Sequence, residues 1–508
     1  MTDYGFLSVV PPLLTVVLAL WTRDVLVSLI AGIVCGSLII TGFQPFDAML
    51  NAIEEQVLEE IGVASQAQVI LTMMIIGGFV KLLEVSGGAR AFARRMTAIV
   101  STRAKAQLLA WGAGLGIFFT DSGNALIVGP LFRSVFDEFK LAREKLAYIL
   151  DTTSSPISIL IPFIGWGAYI MSLIERNYAS AGIEANAFTV LLEVIPYNFY
   201  AFLALLTVPI VIWTGRDYGP MRRVQAAYLE RVRREGPADA APEKAVEQAE
   251  SRVGIFLWPL SVMLVLVIGL IAWHATHGGI TGIRIRSTLV ISYLAASLTC
   301  MEMMRQYQGK PYRQSIRTFI TGAESLVYVS IVLVLAWSLS SVTNDLNTAD
   351  YLASVISGTV SPAMFPMLVF ILGAIISLST GSSYGTFAIL MAIAVPVGFE
   401  LGASMHLTIA AVLSGGLMGD HCSPISDTTV LASVGADCDH LSHVWTQAAY
   451  AGVTGAVTVL AFWLGGLYET HWVLIIAAVV LFGAMTAMMR AFGVPEAGAR
   501  AALAHGRA

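Results

Sequence analysis

Apolar stretches of about twenty residues recur along the chain and are separated by short polar segments. A helix needs about twenty predominantly apolar residues to cross the hydrocarbon core of a bilayer, which is roughly 30 Å thick. The pattern therefore predicts an all-α polytopic membrane protein. The predicted full spans are residues 6–22, 24–43, 67–86, 142–175, 187–213, 253–273, 285–303, 318–342, 404–435, 442–466 and 471–489.

Two further apolar stretches are interrupted at their centres by small polar residues. Residues 107–136 contain Thr-Asp-Ser-Gly-Asn at 120–124, and residues 362–399 contain Thr-Gly-Ser-Ser-Tyr-Gly-Thr at 380–386. Half-length apolar pieces on both sides of such a centre are typical of re-entrant hairpins rather than of full crossings. Non-helical backbone at membrane depth also requires protein or water to satisfy its polar groups.

The distribution of lysine and arginine supports the hairpin interpretation, because short cytoplasmic loops are rich in these residues. With two hairpins, four basic segments fall on the cytoplasmic side and the acidic loops fall outside. Full crossings would instead place residues 87–105, which contain five basic residues, outside. Arg284 and Arg286 do not fit this topology. The four basic segments are residues 87–105, the stretch with Lys140, Arg143 and Lys145, residues 215–252, and the stretch with Arg305, Lys310, Arg313 and Arg317; the C-terminal Arg490, Arg500 and Arg507 also fall inside.

The predicted elements divide into two matching halves. Each half has three spans, a hairpin and two more spans, and the odd number of crossings inverts the second half relative to the first. We predict two inverted repeats of five transmembrane helices plus one hairpin each, with an extra C-terminal helix. Such repeats with interrupted segments are typical of secondary transporters whose site lies near the midplane. The predicted boundaries are 1–214, the first repeat; 215–252, a cytoplasmic linker; 253–467, the second repeat; and 468–508, the extra helix with a cytoplasmic tail.

Composition and charge agree with a membrane protein. Of 508 residues, 56% are hydrophobic and only 12% are charged, whereas a soluble protein carries about 25% charged residues. The net charge of -5 argues against nucleic acid as a partner. The N-terminus lacks the basic region of a cleaved signal, so the first apolar stretch is expected to remain. We predict a multi-pass protein of the cell (inner or plasma) membrane, with the N-terminus outside and the C-terminus cytoplasmic.

The tetrapeptide Ser-Pro-Ile-Ser occurs in one span of each half, at 155–158 and 423–426. Each copy follows a hairpin and a proline, Pro130 or Pro396. A proline removes a backbone donor and frees a carbonyl, and unwound carbonyls with nearby hydroxyls are oxygen ligands that hard cations prefer. A proline kink with back-bonding hydroxyls is the structural alternative, but two matched copies beside carboxylates favour binding. The candidate ligands are Ser122, Asn124, Thr152, Thr153, Ser154, Ser155, Thr380, Ser382, Ser383, Thr386, Ser423 and Thr428.

Four aspartates and a histidine lie within the apolar segments. Asp121 is at the first hairpin centre, and Asp151 precedes the first Ser-Pro motif. Asp420 and His421 precede the second Ser-Pro motif, and Asp427 follows it. Ionisable groups inside a membrane are costly and mark ion or proton paths. A buried carboxyl can exchange a proton near neutral pH, so proton and cation can compete for it. Asp151 and Asp427 could instead cap broken helix ends. The Na⁺ ligand candidates are Asp121, Asn124, Ser155, Asp420, Ser423 and Asp427.

Other polar residues in or near the spans have simpler interpretations. Lys81 and Glu84 lie near a helix end and are expected to extend their charged groups toward the interface. Arg133 follows Pro130 and is expected to anchor the end of the first hairpin. The segment 437–440, Asp-Cys-Asp-His, together with His443 has the residue types of a metal site. Its predicted position in a cytoplasmic loop disfavours that interpretation.

The segment GDHCSPISDTTVLASVGADCDHLSHV, residues 419–444, resembles the signature of the NhaC-type sodium/proton antiporter family. REKLAYILDTTSSPIS, residues 143–158, resembles the equivalent segment of the first half. The resemblance covers most of the chain outside the linker. It implies the ion transporter superfamily, with inverted repeats, two hairpins whose polar tips meet at the site, and often an elevator motion.

The chain departs from this family at the first hairpin centre. Family members usually carry two acidic residues there, in the pattern FFDDY.N, whereas residues 118–124 read FFTDSGN. One carboxylate and one aromatic ring are missing, which leaves room for an organic substrate. The family is also associated with exchange of small carboxylates, such as malate for lactate.

These observations predict a secondary active transporter, not an enzyme, that exchanges Na⁺ for H⁺ by alternating access. It would use Na⁺ and H⁺ as coupling ions and no cofactor. The alternative is Na⁺- or H⁺-coupled transport or exchange of a small organic acid or amino acid. An intramembrane aspartyl protease needs two facing aspartates, which one broken helix does not supply, and a primary pump needs a P-loop lysine that GDHCSPIS lacks. The sequence leaves open whether the chain forms a homodimer.

Overall fold

The computed structural model describes residues 4–235, 252–277, 279 and 281–495. Within these ranges the regular secondary structure is helical except for one short antiparallel pair, in which Arg216–Asp217 (β1) pairs with Val494–Pro495 (β2). Since a membrane-spanning chain must satisfy its backbone polar groups internally, helices are the expected solution. The predicted all-α class is confirmed.

Eight helices of the described residues are long and apolar enough to cross a membrane, and a bent pair adds a ninth. The bent pair, Ala187–Tyr197 and Phe199–Thr214, turns by 44°. The chain is therefore a multi-pass membrane protein. The eight helices are Gly5–Thr22, Ala64–Ser86, Gly254–Thr276, Gly282–Gln308, Tyr312–Asp345, Ser383–Glu400, His440–Tyr468 and Val473–Phe492.

The helices before residue 236 include short and interrupted elements between the long spans. They begin with a 3₁₀ turn, Gly5–Val9, and include a π-helix, Asn51–Leu58, and a second 3₁₀ turn, Ile195–Tyr197. The α-helices are α1 Val10–Thr22, α2 Val25–Ile40, α3 Pro45–Leu50, α4 Glu59–Gly62, α5 Ala64–Ser86, α6 Gly88–Thr97, α7 Arg103–Gly116, α8 Asp121–Glu138, α9 Arg143–Thr152, α10 Ser155–Ser158, α11 Gly165–Ser180, α12 Ala187–Val194, α13 Phe199–Thr214 and α14 Gly219–Glu235.

The helices after residue 252 follow a similar order. These helices are α15 Gly254–Thr276, α16 Gly282–Gln308, α17 Tyr312–Glu324, α18 Val327–Asp345, α19 Thr348–Ile356, α20 Phe365–Thr380, α21 Ser383–Glu400, α22 Met405–Cys422, α23 Asp427–Ala436, α24 His440–Tyr468 and α25 Val473–Phe492. A long helix and a short one precede the connected pair α7–α8 in the first part, and α18 and the short α19 precede α20–α21 here; α22 and α23, separated by a break, follow.

The two polar centres predicted from the sequence are the links between paired helices. Both second helices begin with a hydroxyl cap: Thr120 accepts a hydrogen bond from Gly123 N at 3.0 Å, and Ser382 accepts one from Gly385 N at 3.2 Å. A side-chain oxygen at this position satisfies one of the unpaired N–H groups of a helix start. Gly381, with φ of +63°, ends α20.

The two halves interlock through these paired helices. Helix α8 packs against α23 of the second half, and α21 packs against α11 of the first half. Helix α8 therefore contacts the helix that directly follows the second break, and α21 contacts α11, the second helix after the first break. This reciprocal packing brings the links and the breaks together in one region.

The α8–α23 contact depends on glycine, because a Cβ at Gly435 would overlap the carbonyl oxygen of Ala125. We expect Gly435→Ala to destabilise the fold by about 1–3 kcal/mol through overpacking. Gly452→Ala on α24 is the matched control, since no atom lies within 4 Å of its added Cβ. Alanine's higher helix propensity should leave that control neutral or more stable by up to about 1 kcal/mol. Thermal unfolding in detergent measures both, and equal unfolding temperatures would contradict the expectation.

The predicted linker begins with an ordered helix. In α14, Gln225 donates to Lys140 O at 2.8 Å and accepts from Ala142 N at 2.8 Å. Tyr218 OH donates to Ala449 O at 2.8 Å. The start of the linker is therefore attached to both halves. The Ala/Pro/Glu-rich part of the linker, residues 236–251, and the tail, residues 496–508, lie outside the described residues.

The two arginines that did not fit the predicted topology have partners within the protein. Arg286 is buried and donates to Glu175 Oε2 at 2.6 Å and to Gln68 Oε1 at 2.9 Å. Arg284 Nη1 donates to Gly279 O at 2.7 Å. These contacts join α16 to α11 and α5. A basic residue that is needed for packing carries less information about sidedness than one free in a loop.

Candidate functional site

The first polar link is fastened to the first break. Asn124 Nδ2 donates to Gly114 O at 2.9 Å and to Thr153 O at 2.7 Å, and Ser154 Oγ donates to Asp121 O. Asn124 is fully buried. Two of the predicted ligands, Asn124 and Ser154, thus hold the α7–α8 link against the unwound backbone between α9 and α10.

The second link is joined to the second break in the same manner. Ser423 Oγ donates to Leu378 O at 2.9 Å, and Ser383 Oγ donates to Asp420 Oδ2 at 2.9 Å. A Cβ at Gly381 would meet the backbone of Ile425, which shows how closely the link approaches the break. The structure therefore brings Ser383, Asp420 and Ser423 together, as the sequence suggested.

Asp121 faces a cavity of about 270 Å³. Its Oδ1 accepts from Ser122 N at 2.7 Å and from Ser122 Oγ at 3.1 Å, and its Oδ2 accepts from Trp166 Nε1 at 3.0 Å. The Trp166 ring packs against Tyr384 with centroids 4.7 Å apart. Because Tyr384 lies directly after the second link, this cavity contacts both halves.

Two charged residues near the end of α5 also line this cavity. Lys81 and Glu84 form an ion pair of 3.1 Å, and Glu84 Oε1 accepts from Thr120 Oγ1 at 3.0 Å. Both line the cavity with Asp121. Their interpretation as residues that only extend toward the interface was therefore incomplete. Thr120 stands at one of the two positions that the resembling family fills with acidic residues, and Glu84 places a carboxylate beside it.

Asp151 is 1% exposed and is held by the second half of the chain. Its Oδ2 accepts from Thr429 Oγ1 at 3.0 Å on α23 and from Gln447 Nε2 at 2.5 Å on α24. Gln447 was not predicted, because a single glutamine in a long apolar helix has no distinctive sequence pattern. Asp151 thus lies at a contact between the two halves.

His421 lies at a second contact between the halves. Its Nδ1 is 2.9 Å from Tyr200 OH on α13, and its Nε2 is 3.2 Å from Thr152 Oγ1 on α9. Its carbonyl accepts from Gln447 Nε2. His421 is 3% exposed, and because these partners occupy both ring nitrogens, it joins α22 to α9 and α13.

Asp427 lies in the first turn of α23, where Thr428 N donates to its Oδ1 at 2.9 Å. A carboxylate at this position interacts favourably with the positive end of the helix dipole. The side chain is exposed, unlike those of Asp151 and Asp420. It is also close enough to Asp121 and Asp420 for repulsion between their charges. The geometry therefore accommodates both a capping role and a contribution to cation binding.

The remaining predicted ligands bond chiefly within their own elements. Thr152, Thr153, Thr380 and Thr386 donate to carbonyls of the preceding turn, as hydroxyls in membrane helices commonly do. Ser382 caps α21. Thr428 Oγ1 is 3.1 Å from Ser426 Oγ. The structural alternative weighed from the sequence thus describes several of these hydroxyls well.

Several buried oxygens near the breaks make no hydrogen bond with the described residues. They include one oxygen of Asp151 and one of Asp420, although Ser426 lies beside Asp420 and Thr428 beside Asp151. Oxygen donors of this kind suit a hard cation, and a carboxylate among them can bind either a cation or a proton. The atoms are Asn124 Oδ1, Asp151 Oδ1, Ser155 Oγ and Asp420 Oδ1.

The residues with a metal-site composition do not converge. Within the described ranges, no group of three or more His, Cys, Asp or Glu residues is placed to share a metal ion. His440 and His443 both face Ser433 instead. Burial raises the pKa of the Cys438 thiol, which disfavours the thiolate that a metal would require.

Arg133 connects the halves as an anchor. Its Nε donates to Gly435 O at 2.8 Å and its Nη2 donates to Val434 O at 2.6 Å. These carbonyls lie at the C-terminal end of α23, where a positive charge is favourable. The element that Arg133 holds belongs to the second half, which the sequence alone did not indicate.

Comparisons with known proteins agree with this architecture. The sequence model of the Na⁺/H⁺ antiporter family matches residues 159–467. An uncharacterized protein of Haemophilus influenzae is 32% identical over 475 residues, which cover 90% of each chain. The Na(+)/H(+) antiporter NhaC of Alkalihalophilus pseudofirmus is 33% identical over 111 residues, 21% of this chain and 23% of its own. The Alcanivorax borkumensis YdaH transporter has a similar fold, with a TM-score of 0.57, 16% identity, and coverage of 87% of this chain and 90% of its own.

Proposed function

Because the chain belongs to the Na⁺/H⁺ antiporter family and is a multi-pass secondary transporter, we propose that it exchanges Na⁺ for H⁺ across the cell membrane by alternating access. One observation carries the proposal. Asp151 and Asp420 are buried beside the two broken helices, and each retains one carboxylate oxygen without a hydrogen bond from the described residues. A carboxylate in this setting can hold a cation or a proton but not both, which couples their movement.

The proposed Na⁺ site uses Asp420 as the shared carboxylate. Ser423 supplies a hydroxyl at the same break, and Ser383 orients the other carboxylate oxygen. Asp427 adds negative charge near Asp420, and Asp121 adds it near Asp427. Asn124 and Ser155 offer unpaired oxygens from the first half. When Na⁺ leaves, a proton neutralises the Asp420 carboxylate. The transporter therefore changes conformation with this negative charge balanced by either Na⁺ or H⁺.

The element order supports the finer architecture within this proposal. Residues 1–214 and 253–467 form two inverted repeats joined by a cytoplasmic linker, and α25 within residues 468–508 is the extra helix. The pairs α7–α8 and α20–α21 form re-entrant hairpins. In support, α7 has 14 residues and α20 has 16, fewer than the about 20 needed to cross. Helix α21 is by itself long and apolar enough to cross, so the proposal for the second pair rests on the length of α20. The N-terminus then lies outside and the C-terminus in the cytoplasm.

The proposed partners are a small cation and the lipid bilayer. Na⁺ and H⁺ serve as coupling ions without an added cofactor, and the acidic balance of the chain gives no reason to expect nucleic acid. A homodimer is compatible with the proposal. Exchange requires only the site formed between the two halves of one chain.

Reconstitution of the full chain into liposomes with a lumenal pH dye tests the proposal. An inward Na⁺ gradient should raise the lumenal pH, because each entering Na⁺ drives protons out, whereas an equal choline gradient should not. Absence of a Na⁺-dependent pH change, together with accumulation of a labelled small organic acid or amino acid, would reject Na⁺/H⁺ exchange and support the alternative substrate class.

A further inference from the structure

Three of the helices that are long enough to cross a membrane have an end in one region of the structure. Helix α5 ends at Ser86, α16 ends at Gln308 and α15 begins at Gly254. Gln308 Nε2 donates to Ser86 O at 2.6 Å. The guanidinium carbon of Arg252, just before α15, lies 4.7 Å from the centroid of the Tyr307 ring near the end of α16. Because a crossing helix ends near the edge of the hydrocarbon core, this region marks one boundary of the membrane.

A groove of about 840 Å³ opens at this boundary, between α6 and the start of α15. Helix α6 packs closely against α15 beside the groove, because a Cβ at Gly88 would lie only 2.6 Å from Phe256 N. Three arginines line the groove: Arg94 and Arg95 in the last turn of α6, and Arg252 just before α15. The other residues that line it are small or apolar.

The three arginines give the groove a positive charge. All three are exposed, and no carboxylate of the described residues lines the groove. Positive charges that line one groove repel one another, so a bound anion is favourable. A guanidinium presents parallel N–H donors that match the oxygens of a phosphate group. The chemistry of the groove therefore fits a phosphate.

Apolar surface continues from this charged groove along α15. Leu257 lines the groove and is 45% exposed, and Trp258 beside it is 64% exposed. Both lie near the start of a helix long enough to cross the membrane, where tryptophan is commonly found at the level of the lipid headgroups. A phospholipid joins a phosphate to acyl chains, whereas a free phosphate has no apolar part. A lipid therefore matches both parts of this surface.

We propose that this groove binds the headgroup of an anionic phospholipid. Arg94, Arg95 and Arg252 hold its phosphate, and its acyl chains lie along α15 beside Leu257 and Trp258. The attraction between basic residues and anionic lipid at the membrane surface strengthens this contact. Helix α6 also packs against α8, so the bound lipid stabilises the support of the helix that starts at the first polar link. The inference concerns lipid binding and does not depend on which ion the chain exchanges.

Native mass spectrometry of the detergent-purified full chain with added dioleoyl-phosphatidylglycerol tests the site, and dioleoyl-phosphatidylcholine is the reference lipid without net charge. The wild-type chain should bind phosphatidylglycerol more tightly than phosphatidylcholine. The variant Arg94→Gln/Arg95→Gln/Arg252→Gln should lose on the order of a hundredfold in affinity for phosphatidylglycerol, since each basic residue near an anionic membrane surface contributes about fivefold. Equal affinity for phosphatidylglycerol in the variant and the wild type, or equal affinity of the wild type for both lipids, would overturn the proposal.

A second triple variant removes the same charge from another place. Arg223→Gln, Arg233→Gln and Arg234→Gln change exposed arginines of α14 that do not line the groove. This variant should bind phosphatidylglycerol as the wild type does, which assigns the loss in the first variant to the groove. An equal loss in both triple variants would show general charge attraction and would reject the site. Size-exclusion profiles of both variants show whether the fold is intact.

Two other occupants of the groove give different results. If the groove takes free phosphate, an equal concentration of inorganic phosphate should displace phosphatidylglycerol from the wild-type chain. If it holds the acidic part of the linker instead, phosphatidylglycerol should bind only after that charge is removed, in Glu243→Gln/Glu247→Gln/Glu250→Gln. We expect neither result, and either one would overturn a lipid as the occupant.

Discussion

Replacement of Asp420 by Asn is expected to abolish Na⁺-coupled proton flux while expression and folding stay normal. Asn retains the size of Asp and can still accept from Ser383 Oγ, which is 2.9 Å from Asp420 Oδ2. It cannot ionise, so it can neither neutralise a bound cation nor carry a proton. The loss should be at least about a hundredfold, the lower range for removal of a positioned proton-transfer group. The measurement is the lumenal pH change of proteoliposomes under a Na⁺ gradient.

A matched control separates this effect from a general loss of acidic charge. Asp47→Asn changes an exposed aspartate in the first turn of α3 and should leave the flux unchanged. Size-exclusion profiles of both variants show whether the fold is intact. Full flux in Asp420→Asn would remove this residue from the mechanism, and the proton would then have to be carried elsewhere.

Replacement of Lys145 by Met is expected to destabilise the protein by about 3–5 kcal/mol, because it removes the positive charge that balances the buried carboxylate of Asp217. Lys145 Nζ lies 2.6 Å from Asp217 Oδ2, and their side chains are 1% and 2% exposed. Tyr450 OH also donates to Asp217 Oδ1 at 2.9 Å. This pair attaches the start of the linker to α9 and α24. Thermal unfolding of the purified chain in detergent measures the loss.

The double variant Lys145→Met with Asp217→Asn shows whether the negative charge of Asp217 causes the loss once Lys145 is removed. Asn keeps an acceptor for Tyr450 but carries no charge, so the double variant should recover much of the stability lost in Lys145→Met. A double variant less stable than Lys145→Met would contradict this explanation and would indicate that packing of the Lys145 chain dominates.

Much of the candidate site was predictable because its residue types are costly in a membrane. Asp151 and Asp420 stood out as carboxylates in apolar segments, and the structure buries both beside the broken helices. The Ser-Pro breaks were also predictable, since proline cannot donate a helical hydrogen bond. The transport experiments test the predicted roles of these residues in binding.

Other residues of the site could not be predicted from the sequence around them. Gln447 and Tyr200 lie in long apolar helices, and their importance comes from contacts with Asp151 and His421 that are distant in the chain. Lys81 and Glu84 look like interfacial residues until Thr120 is placed beside Glu84. A residue's partner on another helix depends on the rotation and spacing of both helices, which local patterns do not contain.

The amino-acid sequence by itself determined that this chain is an all-α, multi-pass membrane protein with two interrupted segments in each half. The physical reason is local. The length of an apolar run sets whether a helix can cross the bilayer, a proline interrupts the helix where it stands, and a charged residue in the hydrocarbon region has a free-energy cost that does not depend on distant residues. Only the tertiary structure decided which polar groups share a site. The contacts of α8 with α23 and of α11 with α21 pair residues from opposite halves, and such pairing arises from the packing of whole helices.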